Sequence, residues 1–236
     1  MSFEYNVFFK KLGAVGELTG AEKEALGEFL GRPRTFEAGT SITRESPAGN
    51  STFVLLRGWV ASSRTLANGK SQIIDFRVPG DLLNARGDVG GDAGLDLMPL
   101  TYVEICKLQA PIDVVLRQSS PRVAAALLWS MTEDARVLAE HLVNVGRRDP
   151  RARTAHLLLE LGVRLQRLGL GTRTRFKCPL TQMLLADALG MSGIHLNRIL
   201  RLLRELGLVR FQRHLVEIDD VEKLASFAGF NQTYLE

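Results

Sequence analysis

Two arginines three residues apart, Arg198 and Arg201, follow Ser192, Gly193, His195 and Asn197 in a stretch whose apolar residues recur at helical spacing. At this spacing on one helix, side chains of these types suit recognition of a surface. The Arg198 guanidinium can pair bidentately with a guanine edge, and the Asn197 amide can read adenine or hold a phosphate. Ser192 and His195 suit phosphate, aided by the open N–H groups at a helix start. A polar face of this kind acts only if a scaffold presents its N-terminal end to a groove.

The scaffold is legible around those residues. Thr181 and Ser192 are cap residues, each opening an apolar-periodic run, so the spacing predicts a helix over 182–189, a tight turn, and a second helix from 193 to about 205. With Gln182 as the first position, Ala186 is fifth, where two crossing helices approach and only a small side chain fits. Gly190 is ninth, where the turn needs a positive φ. Leu185, Leu189, Met191, Leu196 and Ile199 fill the inward positions, completing the register of a helix-turn-helix. Upstream, 151–168 reads as a helix closed by Gly169, and Phe176-Lys177-Cys178 as a short strand. After Gly207, residues 208–218 read as two short strands around a basic tip and predict a wing, with Asp219 expected to cap a last helix over 221–228. The candidate DNA contacts are therefore Thr181, Gln182, Ser192, Gly193, His195, Asn197, Arg198 and Arg201, with Arg210 and Arg213 on the wing lying along the sugar-phosphate backbone.

Charge agrees with that assignment. The net charge of +4 hides an asymmetry: between 147 and 214, fourteen Arg or Lys face four acids (Asp149, Glu160, Asp187, Glu205). A surplus of ten positive charges in one predicted domain is either a solvated basic face or the footprint of a polyanion partner, and beside the residues above the polyanion reading, with double-stranded DNA as the partner, is preferred.

Ahead of this domain, Ala124, Leu128, Met131, Ala135, Leu138, Leu142 and Val145 recur at alternating spacings of four and three over about three heptads, with no proline from 122 to 149. Arg122, Glu133, Arg136 and Glu140 lie off that seam. The pattern predicts a long helix that pairs with its symmetry mate through Leu128, Met131, Ala135, Leu138, Leu142 and Val145. A helix packed on its own domain gives the same spacing.

The first half of the chain reads as β structure, with runs at 52–56, 59–66, 71–78 and 102–108. Asn68-Gly69 between the second and third predicts a type I′ hairpin turn, and Pro79-Gly80 ends the third. Residues 84–100, rich in glycine and aspartate, read as a loop with at most one helical turn.

Composition excludes several classes. At 236 residues, 45% hydrophobic and 24% charged, the chain is a folded protein of two modest domains. No apolar run approaches the ~18 residues that span a bilayer, and the start MSFEYNVFFKK does not read as a signal peptide, so a cytoplasmic location away from any membrane is expected. Cys106 and Cys178 match no zinc, iron–sulfur or disulfide spacing and read as small buried hydrophobes, with redox sensing left open. A small β-roll also resembles metal-binding cupin barrels, but His141, His156, His195 and His214 all lie outside the predicted roll. No Ser/His/Asp order, P-loop or dinucleotide fingerprint is present, and Gly87, Gly90, Gly91 and Gly94 lack the required spacing. No catalytic activity, cofactor or metal is expected.

The order of parts resembles the CRP/FNR family of bacterial transcription regulators over nearly the whole chain. Phe36-Glu37-Ala38-Gly39-Thr40-Ser41-Ile42 is similar to the opening of that family's β-roll, and Leu56-Arg57-Gly58-Trp59-Val60 to its glycine turn. Phe76-Arg77-Val78-Pro79-Gly80-Asp81-Leu82-Leu83 is similar to the segment before its ligand loop. Pro179-Leu180-Thr181-Gln182, Leu185-Ala186-Asp187-Ala188-Leu189-Gly190-Met191-Ser192 and His195-Leu196-Asn197-Arg198 resemble the helix-turn-helix of one bacterial branch. The resemblance implies an α+β fold: an antiparallel, jelly-roll-like β-roll sensor over 1–120, a dimerisation helix over 121–149 and a winged helix-turn-helix over 150–236. It implies a homodimer on a two-fold symmetric site, RNA polymerase as a further partner, and a β-roll that biases the paired long helices and so the spacing of the recognition helices.

Three departures qualify what carries over. The Gly-Glu-Leu and Arg-Ser/Thr pair that hold cAMP are missing, and between Gly80 and Leu108 the only basic residues are Arg86 and Lys107, so control by cyclic nucleotide is not expected. The cysteine set of an oxygen-sensing iron–sulfur cluster is absent as well. Ile194 stands where well-known members carry a base-reading glutamate, so their target sequence does not transfer. The alternative reading keeps the fold and gives the basic domain a protein partner, which salt response distinguishes from DNA.

Overall fold

A computed structural model describes residues 5–45, 51–69, 71–85 and 95–236. In chain order its elements are α1 (Asn6–Leu12), α2 (Gly20–Glu28), β1 (Arg34–Phe36), α3 (Ile42–Glu45), β2 (Phe53–Arg57), β3 (Val60–Thr65), β4 (Ser71–Arg77), β5 (Leu82–Leu83), β6 (Asp96–Pro99) and β7 (Val103–Lys107). Then come α4 (Ile112–Gln118), α5 (Pro121–Gly146), α6 (Pro150–Leu168), β8 (Arg175–Lys177), α7 (Gln182–Ala188), α8 (Gly193–Glu205), β9 (Val209–Gln212), β10 (Leu215–Ile218) and α9 (Val221–Ala228). The chain divides into two compact units, Met1–Gly69 with Phe76–Asp134, and Lys70–Asp75 with Ala135–Glu236.

The first unit holds the expected antiparallel β-roll. One sheet runs β1-β7-β2-β5, and β3 pairs antiparallel with β6 in a second. β2 is apolar on both faces because both are covered, which is why its sequence reads as a continuous apolar run. Phe53 and Leu55 enter a cluster with Phe36, Ile42, Val60, Leu83, Leu97, Val103 and Ile105 that fills the roll. Val54 and Leu56, half a pleat away, meet Phe8 and Leu12 of α1, Ile112 and Val115 of α4, and Val123 and Leu127 of α5.

Two expectations need correction here. The Asn68-Gly69 turn is not type I′: Gly69 has φ +79° and its N–H donates to the Leu66 carbonyl, while Asn68 keeps a negative φ. The glycine therefore follows the turn as its left-handed exit. The span 84–100 is not loop throughout, since β6 occupies Asp96–Pro99 and pairs antiparallel with β3, Val60 opposite Pro99. Glycine and aspartate density masked a strand of only four residues. The remainder of that expectation, at 86–94, lies outside the described residues.

In the second unit the inward face of α6 packs against α9, β8 and α8. Gly169 closes α6 in the left-handed conformation, as expected. The final helix is capped by Asp220, whose carboxylate accepts from Lys223 N–H at 2.9 Å. Asp219, the expected cap, is one residue too early and pairs with Arg210 instead.

Candidate nucleic-acid interface

The interface is built from two caps and one glycine. The Thr181 hydroxyl accepts from Leu184 N–H at 3.2 Å and starts α7; the Ser192 hydroxyl accepts from His195 N–H at 3.2 Å and starts α8. Between them Gly190 adopts φ +60°, which a glycine takes without steric cost. Leu185, Ala186 and Leu189 of the first arm and Leu196, Ile199, Leu200 and Leu203 of the second are buried against the α6 side of the unit. Met191, expected inward, is only half-buried.

Because one face of α8 is spent on the core, the other is fully presented. Ile194, Arg198, Arg201 and Glu205, spaced by four, three and four residues, run down the middle of the exposed face, with His195 and Asn197 flanking them. The Asn197 amide donates to Gln182 Oε1 at 3.0 Å, so two predicted contact residues tie the two helices together. Arg201 pairs with Glu205 at 2.8 Å on the exposed surface. His195 and Arg198 line an open groove of about 430 Å³ with Asp149, Arg151 and Leu202. Gly193 is half-buried beneath the Met183 sulfur, which a Cβ there would approach to 2.8 Å.

The wing closes the same unit. β9 and β10 pair antiparallel, Gln212 opposite Leu215, so the turn between them is only Arg213-His214. Both residues are left-handed, at φ +49° and +59°, the geometry of a primed two-residue turn that ordinarily selects asparagine or glycine. Arg213 is thereby fixed at the tip, while Arg210 is held at 2.8 Å by Asp219. The His214 carbonyl accepts from Cys178 N–H, anchoring the tip to the strand before α7. Cys178 and Cys106 are buried and their thiols pushed up to about 12 by burial, so both behave as small hydrophobes.

A second polar cluster in this unit was not foreseen. Asp75, His141 and Glu160 bring one ligand atom each within 4.8 Å of one another, a spacing compatible with a metal ion. The group is already closed on itself. Arg164 Nη1 sits 3.2 Å from Asp75 and 3.3 Å from Glu160. His141 Nδ1 faces the Ile74 carbonyl at 3.0 Å and Nε2 faces both Glu160 oxygens at 3.1 Å. With acceptors on both sides, the ring is an imidazolium. Two carboxylates thus meet two cations, and the Tyr234 hydroxyl donates to Glu160 at 2.9 Å. Burial alone would lower His141, but the Glu160 and Asp75 carboxylates outweigh it and hold the ring up at about 9. Burial pushes Glu160 up; His141 and Arg164 outweigh it and bring the carboxyl down to about 2. Burial and Arg148 push His156 down to about 4, leaving it neutral.

The seam residues of α5 divide. Leu128, Ala135, Leu142 and Val145 are exposed, while Ala124, Met131 and Leu138 are half-buried, Met131 against the core of the first unit. The exposed stripe takes Ala125, Leu128, Thr132, Ala135, Ala139 and Leu142, still at spacings of three and four.

Residues 152–227 match the family model of a Crp-like helix-turn-helix domain, and residues 33–111 that of a cyclic nucleotide-binding domain. The chain is 22% identical to the Anaerobic regulatory protein of Haemophilus influenzae over 92% of this chain and 84% of that one. It is 23% identical to the Nitrogen fixation regulation protein FixK of Azorhizobium caulinodans over 76% of this chain and 72% of that one. FixK2 from Bradyrhizobium japonicum superposes with a TM-score of 0.70 at 19% identity, covering 85% of this chain and 98% of that one, and so shares the fold.

Proposed function

The chain belongs to the CRP/FNR family of transcription regulators, and from that premise we propose that it binds a two-fold symmetric double-stranded DNA site as a homodimer, without cyclic nucleotide. It is a DNA-binding regulator, not an enzyme. One observation carries the reading: α8 buries one face in its own unit and leaves the opposite face, with Arg198, Arg201 and His195, exposed on a helix capped and open at its N-terminus. That end enters the major groove, Arg198 pairs with a base edge, and the wing arginines lie along phosphates.

Dimerisation is supported by α5. Leu128 is 51% and Leu142 74% exposed on a stripe of otherwise small residues, an arrangement that lets two such helices approach closely and bury both leucines. Independence from cyclic nucleotide is supported by the roll interior, where Phe36, Phe53, Leu55, Leu97 and Ile105 are each 5% exposed or less and pack on one another. A cytoplasmic location and contact with RNA polymerase follow from the same reading. No helix among the described residues is long and apolar enough to cross a membrane.

The test is selection of bound sequences from random DNA with purified protein and no effector, then affinity at two salt concentrations. The expected result is a palindrome with half-sites about one helical turn apart, bound with a steep salt dependence. Leu142→Glu is expected to sediment as a monomer and to lose the palindrome. Enrichment of no DNA at any salt would point to a protein partner for the basic unit.

A further inference from the structure

We propose that Ile194, assisted by Met183, reads the 5-methyl group of a thymine in each half-site by apolar contact. The inference rests on the DNA-binding reading above and adds to it a base identity and the residue that selects it.

Ile194 is 73% exposed and Met183 70%, each the second residue of its helix, on the polar face of a unit whose other apolar side chains mostly turn inward. Neither contributes to the core. Ile194 begins the stripe that continues as Arg198 and Arg201, about one turn closer to the N-terminus of α8 than Arg198 and about two turns closer than Arg201, so it lies deepest when that end enters a groove. Met183 reaches the same place. Its sulfur lies over Gly193, and any side chain at 193 would displace it. The neighbouring polar groups are engaged within the protein, the Thr181 and Ser192 hydroxyls as caps and the Asn197 amide on Gln182. What remains at the tip is an apolar pair rimmed by cations.

Charge argues for nucleic acid as the occupant, because an apolar protein partner would have to cover Arg198, Arg201 and His195 to reach the pair. The thymine methyl is the one apolar group on a major-groove base edge. Guanine and adenine present only polar atoms there, and covering them with Ile194 would strip water from acceptors without replacing the hydrogen bond. The pair therefore favours a 5-methylated pyrimidine and disfavours purines at one position per half-site.

The test uses full-length protein and its own selected site. Thymines are replaced one at a time by deoxyuridine, which removes only the methyl, and affinity is measured at constant salt for wild type, Ile194→Ala and Met183→Ala. At one thymine per half-site, uracil is expected to weaken wild type about fourfold, the value of one buried methyl group, and about sixteenfold when both half-sites are changed. Ile194→Ala is expected to lose that penalty, and Met183→Ala to reduce it, both with an unchanged melting temperature. Placing 5-methylcytosine there is expected to bind tighter than cytosine. A site in which no thymine methyl matters, or a uracil penalty that persists in Ile194→Ala, overturns the inference while leaving DNA binding intact. Failure to enrich any DNA overturns both.

Discussion

The second unit uses charge in two opposite ways. Asp75, Glu160 and Arg164 are buried and His141 nearly so, mutually neutralised and joined to Tyr234, whereas Arg198 and Arg213 stand exposed on the surface. In the first set each charge has lost water and depends on its protein partners; in the second each keeps water and gives it up only to an outside anion. Mutations in the two sets should therefore move different observables, stability in one and affinity in the other. The comparison fails if they do not.

The largest effect is expected from Arg164→Ala. It leaves two buried carboxylates facing a single imidazolium and should cost about 3–5 kcal/mol of unfolding free energy, read by urea titration. DNA affinity per folded molecule should be unchanged. A loss under about 1 kcal/mol would mean that water enters the cluster and that the network is not closed.

Next in size is the pH dependence of the same cluster. His141 is raised from 6.5 to about 9 in the folded protein, so its contribution is fully present below pH 6.5 and is lost as pH rises through 9. At 1.36 kcal/mol per tenfold change in proton affinity the loss approaches ~3 kcal/mol. Glu160, held at about 2, acts at the other end: its share is present above pH 4.5 and lost as pH falls toward 2. Thermal melts from pH 6 to pH 9.5 should fall steeply for wild type and much less for His141→Gln.

Arg198→Ala should do the reverse of Arg164→Ala. Loss of a bidentate base contact costs about 1–3 kcal/mol of binding and relaxes preference at one base pair, with the melting temperature unchanged. If stability falls instead, Arg198 belongs to the groove it shares with Asp149 and Leu202, and its role is structural.

The two sets also differ in how legible they were. The recognition helices are specified by near neighbours: Thr181 and Ser192 cap residues three positions on, Ala186 and Gly190 serve the turn beside them, and Leu196 and Ile199 follow the helical period. The closed network joins residues far apart, Ile74 to His141 across 67 positions, Glu160 to Tyr234 across 74 and Asp75 to Arg164 across 89. Its signals were Asp75 inside the apolar run Ile73-Ile74-Asp75-Phe76, and Glu160 with Arg164 on the otherwise apolar inward face of α6. Each marks a buried charge without naming its partner. The α5 stripe shows a third kind of ambiguity, since a period of 3.6 lets adjacent stripes share Leu128, Ala135 and Leu142 while only burial decides between Met131 and Thr132.

The smallest effect tests the boundary between the two sets. Arg210 and Asp219 form an ion pair at 2.8 Å, yet their side chains are 50% and 38% exposed, so the pair is partnered like the buried network and solvated like the recognition face. An exposed pair contributes about 0.2–1 kcal/mol, and Asp219→Asn should shift stability by no more than that. Removing the carboxylate leaves Arg210 to a phosphate and takes one negative charge from the wing, so DNA affinity should rise severalfold at low salt. The gain should shrink at higher salt, because the competing carboxylate and the phosphate are both screened. A larger stability loss with no change in affinity would place Arg210 among the structural charges and remove it from the interface, leaving Arg213 as the arginine through which the wing meets the backbone.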